Sequence, residues 1–280
     1  MAGAWRSPVL VAGRLRRLSE LLALGELALE YSLREERPFL ALGRAPVGGT
    51  VLGLYEAYRD EHGRPGETYR RITGGPVMEA RPGWSYVAAA VPGMGDLGGL
   101  AARAFGASTC LRAPVGFTAA DRVGYVEAFT PLDEAEALAC LAEVLALEPR
   151  GRVHVPRASL GELAGLFESE QWRLYRYRRG DAEAEARRGK YWVKLSIALS
   201  DVYVSDYWLT GVFYAAPPSE IYTILNTLRG MRLDELTLYN LELAVEKRLQ
   251  THGVTKSDLR RLLRQLHRQA GERYYTAQTA

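Results

Sequence analysis

The chain has 280 residues, enough for one large domain or for a large and a small domain. Its hydrophobic fraction of 48% and charged fraction of 25% are those of an ordinary globular protein, and its net charge of +3 gives no indication of a strongly basic tail for nucleic acid. No apolar run reaches the roughly 18 residues that a membrane-spanning helix needs, so we expect no membrane span.

Three residue types are scarce or unevenly used. Only four of the 36 basic residues are lysines, and none of them precedes Lys190. Cys110 and Cys140 form no CxxC pair and no disulfide framework, so we expect both to fill core space in a reducing cytoplasm. The four histidines are scattered without metal-ligand spacing, and we therefore expect no metal site.

Strands and helices alternate through the first 180 residues. The apolar run 5–12 predicts a short edge strand because it contains Pro8, and leucines at helical spacing predict an amphipathic helix over 15–33, with a break near Gly25. Further strands are expected at 39–44, 50–54, 84–91, 111–115, 123–129 and 172–177, and further helices at 100–105, 133–147 and 159–167.

Apolar alternation stops in the charged, alanine-rich stretch 180–189, and we place a domain boundary there. Beyond it the pattern predicts strands at 191–199 and 202–209, followed by helices at 217–230, 234–251 and 255–271. We therefore predict an α+β protein. A mixed β-sheet core flanked by helices spans residues 1–180, and a second, small α+β domain spans residues 188–280.

The segment Arg70-Arg71-Ile72-Thr73-Gly74-Gly75-Pro76 has the composition of an anion-binding turn. Two arginines offer planar forks for phosphate or carboxylate, and the glycine pair lets the backbone turn sharply or approach a ligand. A tight hairpin with two solvated arginines has the same local sequence, and the segment alone does not decide between these interpretations.

A second glycine-rich segment, Gly93–Gly98, matches the GxGxxG dinucleotide fingerprint between a predicted strand and a predicted helix. However, Pro92 interrupts its entry, no βαβ alternation precedes it, and no acidic residue closes a clear next strand. We interpret this segment as a flexible glycine loop rather than as a cofactor site.

Several short motifs follow one another in a fixed order. A helix motif of the type LA-E--L occupies 27–33, a proline and a TVLG strand occupy 44–53, and the arginine–glycine turn occupies 70–75. Beyond the predicted boundary come Gly189-Lys190, the strand end 211–214, the helix start 217–220 and the helix end 228–230. In this order and spacing the chain resembles the lipoate–protein ligase family of the biotin and lipoate ligase group, with its accessory domain.

The resemblance implies a biotin/lipoate ligase-like fold and an ATP-dependent activity. Members of the family activate lipoate with ATP, which Mg²⁺ accompanies, to lipoyl-adenylate, and they pass the lipoyl group to a lysine of a lipoyl carrier domain. It also implies that the adenylate is held by the residues of the turn, namely Arg70, Arg71, Thr73, Gly74, Gly75 and Pro76.

The chain departs from the family pattern around this turn. The third glycine of the family is Pro76 here, and its aromatic–histidine pair is Glu79-Ala80. The family uses a catalytic-domain lysine in a K-x-x-G context, which cannot be present at its expected place because no lysine precedes Lys190. Arg112 and Lys190 are the candidate catalytic substitutes, although arginine does not provide the compact point charge of an ammonium group.

Three functions are open at this point. An active ligase for lipoate or a related acid fits the turn, and so does a binding module that keeps the fold but has lost the chemistry. The basic and aromatic segment 172–179 is also compatible with stacking on nucleic-acid bases, or with a core strand whose arginines are solvated. We expect a ligase-type enzyme, with neither nucleic acid nor a membrane as its partner.

Overall fold

The computed structural model describes residues 5–64 and 67–279, and the side chains of these residues except 5, 6, 60 and 274–279. The chain divides into two compact units, Met1–Tyr175 and Arg176–Ala280. The stretch 180–189, where we expected apolar alternation to stop, contains a strand, Ala182–Arg188, so that expectation is wrong. Its alanines provide the buried face and its charged residues the exposed face, a period-2 pattern that small side chains conceal.

Within the first unit the described residues form nine strands and five α-helices. The strands are β1 (Trp5–Ala12), β2 (Phe39–Arg44), β3 (Gly49–Leu52), β4 (Thr68–Arg70), β5 (Met78–Ala80), β6 (Ser85–Pro92), β7 (Gly116–Ala120), β8 (Val123–Thr130) and β9 (Leu147–Val155). The helices are α1 (Leu18–Glu35), α2 (Leu97–Leu111), α3 (Glu134–Leu145), α4 (Arg157–Glu168) and α5 (Glu170–Arg173).

Six of these strands form one mixed sheet in the order β7-β8-β6-β2-β1-β9. The strands β9, β1 and β2 run parallel, whereas β2, β6, β8 and β7 are successively antiparallel. A smaller sheet has β3 between β4 and β5. The predicted α+β class, with a mixed sheet flanked by helices, is confirmed.

Helix α1 packs on the large sheet without the break expected at Gly25. A Cβ atom at Gly25 would lie 2.0 Å from the hydroxyl of Tyr86 and 2.3 Å from that of Tyr125, so only glycine lets the helix cross these buried tyrosines. Glycine costs about 1 kcal/mol of helix propensity, whereas burial of Leu21 and Leu22 contributes about 1.5–3 kcal/mol each. Packing therefore keeps the helix continuous.

Strand β1 is an inner strand, and not the predicted edge strand, because β9 pairs along its outer side. The ladder between them shifts register between Ser7 and Val9, which accommodates the missing donor of Pro8. The sequence pattern does not predict β9, because its middle is exposed and charged. The strand expected at 111–115 is also wrong, since α2 continues to Leu111 and β7 begins at Gly116.

The two cysteines join α2 to α3 by a disulfide bond. Cys110 is exposed and Cys140 is buried, and their Cα atoms are 5.9 Å apart. The expectation that both thiols fill core space without pairing is therefore wrong. Helical packing brings together two residues that are 30 positions apart, and no local spacing in the sequence indicates this.

The second unit begins with a three-stranded antiparallel sheet, in which the strands follow chain order, and continues with helices, as expected. Its strands are β10 (Ala182–Arg188), β11 (Tyr191–Ser200), β12 (Tyr203–Val212), β13 (Tyr214–Ala216) and β14 (Gln250–His252), and its helices are α6 (Glu220–Asn226), α7 (Glu235–Arg248) and α8 (Lys256–Thr279). None of the described helices of either unit combines the length and apolarity needed to cross a bilayer.

Candidate functional site

The arginine–glycine turn connects two strands of the small sheet. Strand β4 ends at Arg70, the chain turns through Gly75, which has φ +95°, and β5 starts at Met78. Both strands pair with β3. Because the turn is anchored at both ends by one sheet, its backbone shape is fixed by that sheet.

Arg70 is buried and binds the backbone of its own unit. Its Nε donates to the carbonyl of Trp172 at 2.8 Å, and its Nη1 donates to the carbonyls of Gly53 and Leu54, both at 3.0 Å, and of Glu56. Only 2% of the residue is exposed. These contacts hold three chain segments together, and the role of Arg70 in holding an adenylate stays a prediction.

Arg71 is also fully buried, and it shapes the turn from inside. Its Nε donates to Thr73 Oγ1 at 2.7 Å and its Nη1 to the carbonyl of Val51 at 3.0 Å. Its Nη2 donates to the carbonyls of Gly74 at 2.8 Å and Pro76 at 2.7 Å. The guanidinium thereby fixes the direction of the peptide between Gly74 and Gly75 and of the peptide that follows Pro76.

A buried carboxylate on β8 completes this network. Thr73 Oγ1 donates to Glu127 Oε1 at 2.6 Å, and the hydroxyls of Tyr86 and Tyr125 approach Oε2 at 3.0 and 3.4 Å. Burial raises the pKa of Glu127, and the charge of Arg71, whose Nε lies 4.0 Å from Oε1, opposes that rise. The signal in the sequence for Glu127 is a lone acidic residue within an apolar strand, and the sequence reasoning missed it.

The backbone amides of Gly74 and Gly75 are hydrogen-bond donors that the contacts of the turn do not use. Neither Gly74 nor Gly75 finds an acceptor for its backbone N–H among the described residues, although both are buried. A buried amide without an acceptor costs free energy, and successive amides around a positive φ form an anion-binding concavity. The two amides are therefore donors that remain available to a ligand, and Arg71 shapes the backbone that carries them.

Strand β7 approaches the turn closely because it begins with glycine. A Cβ atom at Gly116 would lie 2.2 Å from Thr73 Oγ1 and 2.6 Å from Arg71 Nε. No larger residue fits at this position unless the network moves. Gly116 is a second residue of the site that the sequence motif does not reveal, because it is remote in the chain.

An apolar cavity of about 440 Å³ adjoins the turn at Ile72. It is lined by Glu26, Ile72, Leu166, Phe167, Ser169, Gln171 and Trp172. Burial, assisted by the charges of Glu30 and Glu127, raises the pKa of Glu26 to about 7. The cavity thus combines aromatic and aliphatic walls with one carboxyl group that changes charge near neutral pH.

Trp172, the first residue of the segment 172–179 that is compatible with stacking on nucleic-acid bases, belongs to the wall of this cavity. The expected strand at 172–177 is wrong, because Trp172 lies in the short helix α5 and residues 174–181 form neither helix nor strand. The indole of Trp172 donates to the carbonyl of Arg70 at 2.9 Å and contacts the ring of Phe167 edge to face. The indole of Trp172 therefore makes its contacts with other residues of the first unit.

The two candidate catalytic cations belong to different units. Arg112 ends α2 with φ 54°, its side chain is exposed, and no hydrogen bond or ion pair joins it to the turn within the described part of the chain. Lys190 belongs to the second unit, where it follows Gly189 between β10 and β11, with its Nζ 5.4 Å from the ring centroid of Tyr191. Their catalytic role stays a prediction.

No protein-family model and no curated protein matches the chain. Among solved structures, P. falciparum LipL1, crystallised in complex with lipoate, aligns with 94% of this chain and 99% of its own at 9% identity and a TM-score of 0.61. This likeness extends over both units, and at such identity it establishes the fold alone. The lipoate ligase-like fold that the sequence resemblance implies is therefore confirmed.

Two further structures align with the chain less closely. A lipoate-protein ligase A bound with ATP covers 60% of this chain and 98% of its own, at 13% identity and a TM-score of 0.46. A bi-partite lipoate protein ligase from Thermoplasma acidophilum covers 62% and 98%, at 12% identity and a TM-score of 0.45.

Proposed function

We propose that this protein is a lipoate–protein ligase-like enzyme. It would activate lipoate or a related acid with ATP to an acyl-adenylate and transfer the acyl group to a lysine of a lipoyl carrier domain. The observation that carries the proposal is the pair of buried, unpartnered amides at Gly74 and Gly75, within a fold shared with lipoate-bound LipL1.

Each part of the site would take one part of the adenylate. The two amides would donate to the phosphate, because such a backbone concavity suits an anion. The apolar cavity beside Ile72 would take the acyl chain, since ligand pockets of about 300–1,000 Å³ are largely apolar with a few polar groups. Protonated Glu26 would be able to donate to an oxygen of the acid.

Mg²⁺ would enter together with ATP. No cluster of three His, Cys, Asp or Glu residues converges in the part of the chain that the structure describes. Mg²⁺ in nucleotide sites is held mainly by phosphates and water with one or two carboxylates, so a dedicated protein cage is not required.

Pyrophosphate exchange tests the enzymatic proposal. The full chain is incubated with ATP, Mg²⁺, lipoate and labelled pyrophosphate, and exchange into ATP that depends on lipoate is expected. Octanoate is tested in parallel as a related acid. Absence of exchange with every acid tried would exclude the adenylating activity.

A second candidate function is a binding module that holds the acyl-adenylate without turnover. The contacts of the two arginines favour it, because both guanidinium groups bind protein carbonyls and no lysine precedes Lys190. Calorimetry with lipoyl-adenylate would then show binding while exchange is absent. Turnover by the isolated protein would contradict this candidate.

A matched pair of variants locates the binding site under either function. Gly75 and Gly63 have the same φ of +95°, so alanine is equally strained at both positions. Gly75→Ala should weaken lipoyl-adenylate binding at least about tenfold, as expected for loss of oriented anion donors. Gly63→Ala, which meets no atom within 4 Å, should leave binding unchanged. Equal losses of binding affinity in both variants would show that the turn is not part of the binding site.

A further inference from the structure

A basic cleft of about 850 Å³ opens at one edge of the large sheet, and no residue of the arginine–glycine turn lines it. The lining residues are Val11, Ala12, Gly13, Arg14, Leu15, Arg16, Leu42, Gly43, Arg44, Ala45, Pro46, Gly83, Glu134, Arg152 and His154. Four arginines therefore face one glutamate. The lining residues have a net charge of +3, which equals the net charge of the entire chain. The positive and negative charges of all other residues therefore cancel.

The cleft lies where three parallel strands end. The register aligns Val11 of β1 with Leu42 of β2 and with His154 of β9. The carboxyl ends of these strands meet at the same edge, and in open sheets this edge is where ligands bind. Arg44 and Arg152 come from two of the strands, and the loop after β1 adds further arginines.

The arginines of this cleft differ from those elsewhere on the first unit. Within the described residues the side chains of Arg14, Arg16 and Arg152 have neither a hydrogen-bond nor an ion-pair partner, and Arg44 reaches Glu134 only at 3.7 Å. By contrast, most exposed arginines of the chain have a carboxylate close by, as Arg17 has at Glu168. The cleft therefore contains several guanidinium groups close together, and most of them have no carboxylate partner.

Like charges gathered in a concave surface repel one another and raise the local concentration of anions. Guanidinium groups bind phosphate oxygens in a planar, bidentate fashion, and the cleft volume lies within the range of small-molecule sites. We propose that this edge of the sheet is a second site, which binds a phosphate-bearing small molecule between the size of pyrophosphate and that of a nucleotide.

Calorimetry on the full chain with sodium pyrophosphate as the probe tests the site. The double variant Arg14→Gln/Arg152→Gln removes two unpaired charges of the cleft. The matched control Arg34→Gln/Arg37→Gln removes two exposed arginines outside it. The unmodified chain should bind the probe saturably, the cleft variant about tenfold or more weakly, and the control within about twofold. Circular dichroism should show that both variants are folded.

Each of the following results would overturn the proposal. Heat that does not saturate would show that pyrophosphate only screens the surface, and equal losses in both double variants would show that the cleft is not special. Tighter binding of a poly-dT oligonucleotide than of pyrophosphate, lost in the cleft variant, would assign the surface to nucleic acid instead.

This inference is separable from the proposed function. If the cleft variant retains lipoate-dependent exchange but loses pyrophosphate binding, both stand. If the unmodified chain shows no exchange and still binds pyrophosphate in the cleft, only the proposed function fails. Unchanged pyrophosphate binding in the cleft variant defeats the second site alone.

Discussion

The hydroxyl of Thr73 joins the two charged groups beneath the turn, and its removal should be costly. In Thr73→Val the Nε of Arg71 loses an acceptor at 2.7 Å, and Glu127 loses a donor at 2.6 Å. Hydrogen bonds to charged groups contribute about 1.5–3 kcal/mol each, and the charges left behind are buried. We expect the free energy of unfolding of the first unit to fall by about 3–5 kcal/mol.

Urea-induced unfolding, followed by tryptophan fluorescence and circular dichroism, measures this loss. In a unit of this size, a loss of 3–5 kcal/mol corresponds to a decrease in Tm of roughly 6–20 °C. Thr73→Ser keeps the hydroxyl and should recover most of the loss. Thr50→Val is the matched control, because the half-buried Thr50 side chain has no hydrogen bond to any described residue. If Thr73→Val costs no more than Thr50→Val, the network does not stabilise the turn.

Three further variants test other features of the first unit. The fold raises the pKa of Glu26 to about 7, so the protonated form of Glu26 favours folding. The free energy of unfolding should therefore fall by up to about 3 kcal/mol as pH rises from about 5 to about 7. Glu26→Gln should remove this component between pH 5 and 8, whereas the exposed control Glu162→Gln should parallel the unmodified chain. Cys110→Ser should cost about 3 kcal/mol by opening a loop of 30 residues, and added dithiothreitol should lower the unmodified chain to the same level without affecting the variant. Trp172→Phe should cost about 1–2 kcal/mol in urea unfolding, since it removes the indole donor of the carbonyl of Arg70; no loss would show that the bond is immaterial.

The parts of the fold that the sequence predicts are those with strong local periodicity. The leucine stripe of α1 and the apolar strands β2, β6 and β8 lie close to where the pattern places them. The sequence pattern does not predict strands β9 and β10. Strand β9 is charged through its middle, and strand β10 has alanine on its buried face. Their pairing is set by distant neighbours and not by local composition.

The candidate site likewise has a part that the sequence predicts and a part that it does not. The motif identifies the turn, because arginine and glycine types at fixed spacing belong to one short segment. It does not reveal that the arginines bind carbonyls inside the protein, or that Glu127 and Gly116 complete the network from β8 and β7. These contacts join residues about 40–60 positions apart, and only the packing of the two sheets brings them together.

Arg70 and Trp172 hydrogen-bond to each other in both directions, side chain to carbonyl. One residue leads into the glycine turn, and the other forms a wall of the apolar cavity. Two hydrogen bonds therefore connect the strand that leads into the turn with the wall of the cavity, and a ligand that orders one part would meet some of the entropic cost of ordering the other. An acid in the cavity would accordingly strengthen phosphate binding at the turn, and the emission of Trp172 would report the occupancy of both.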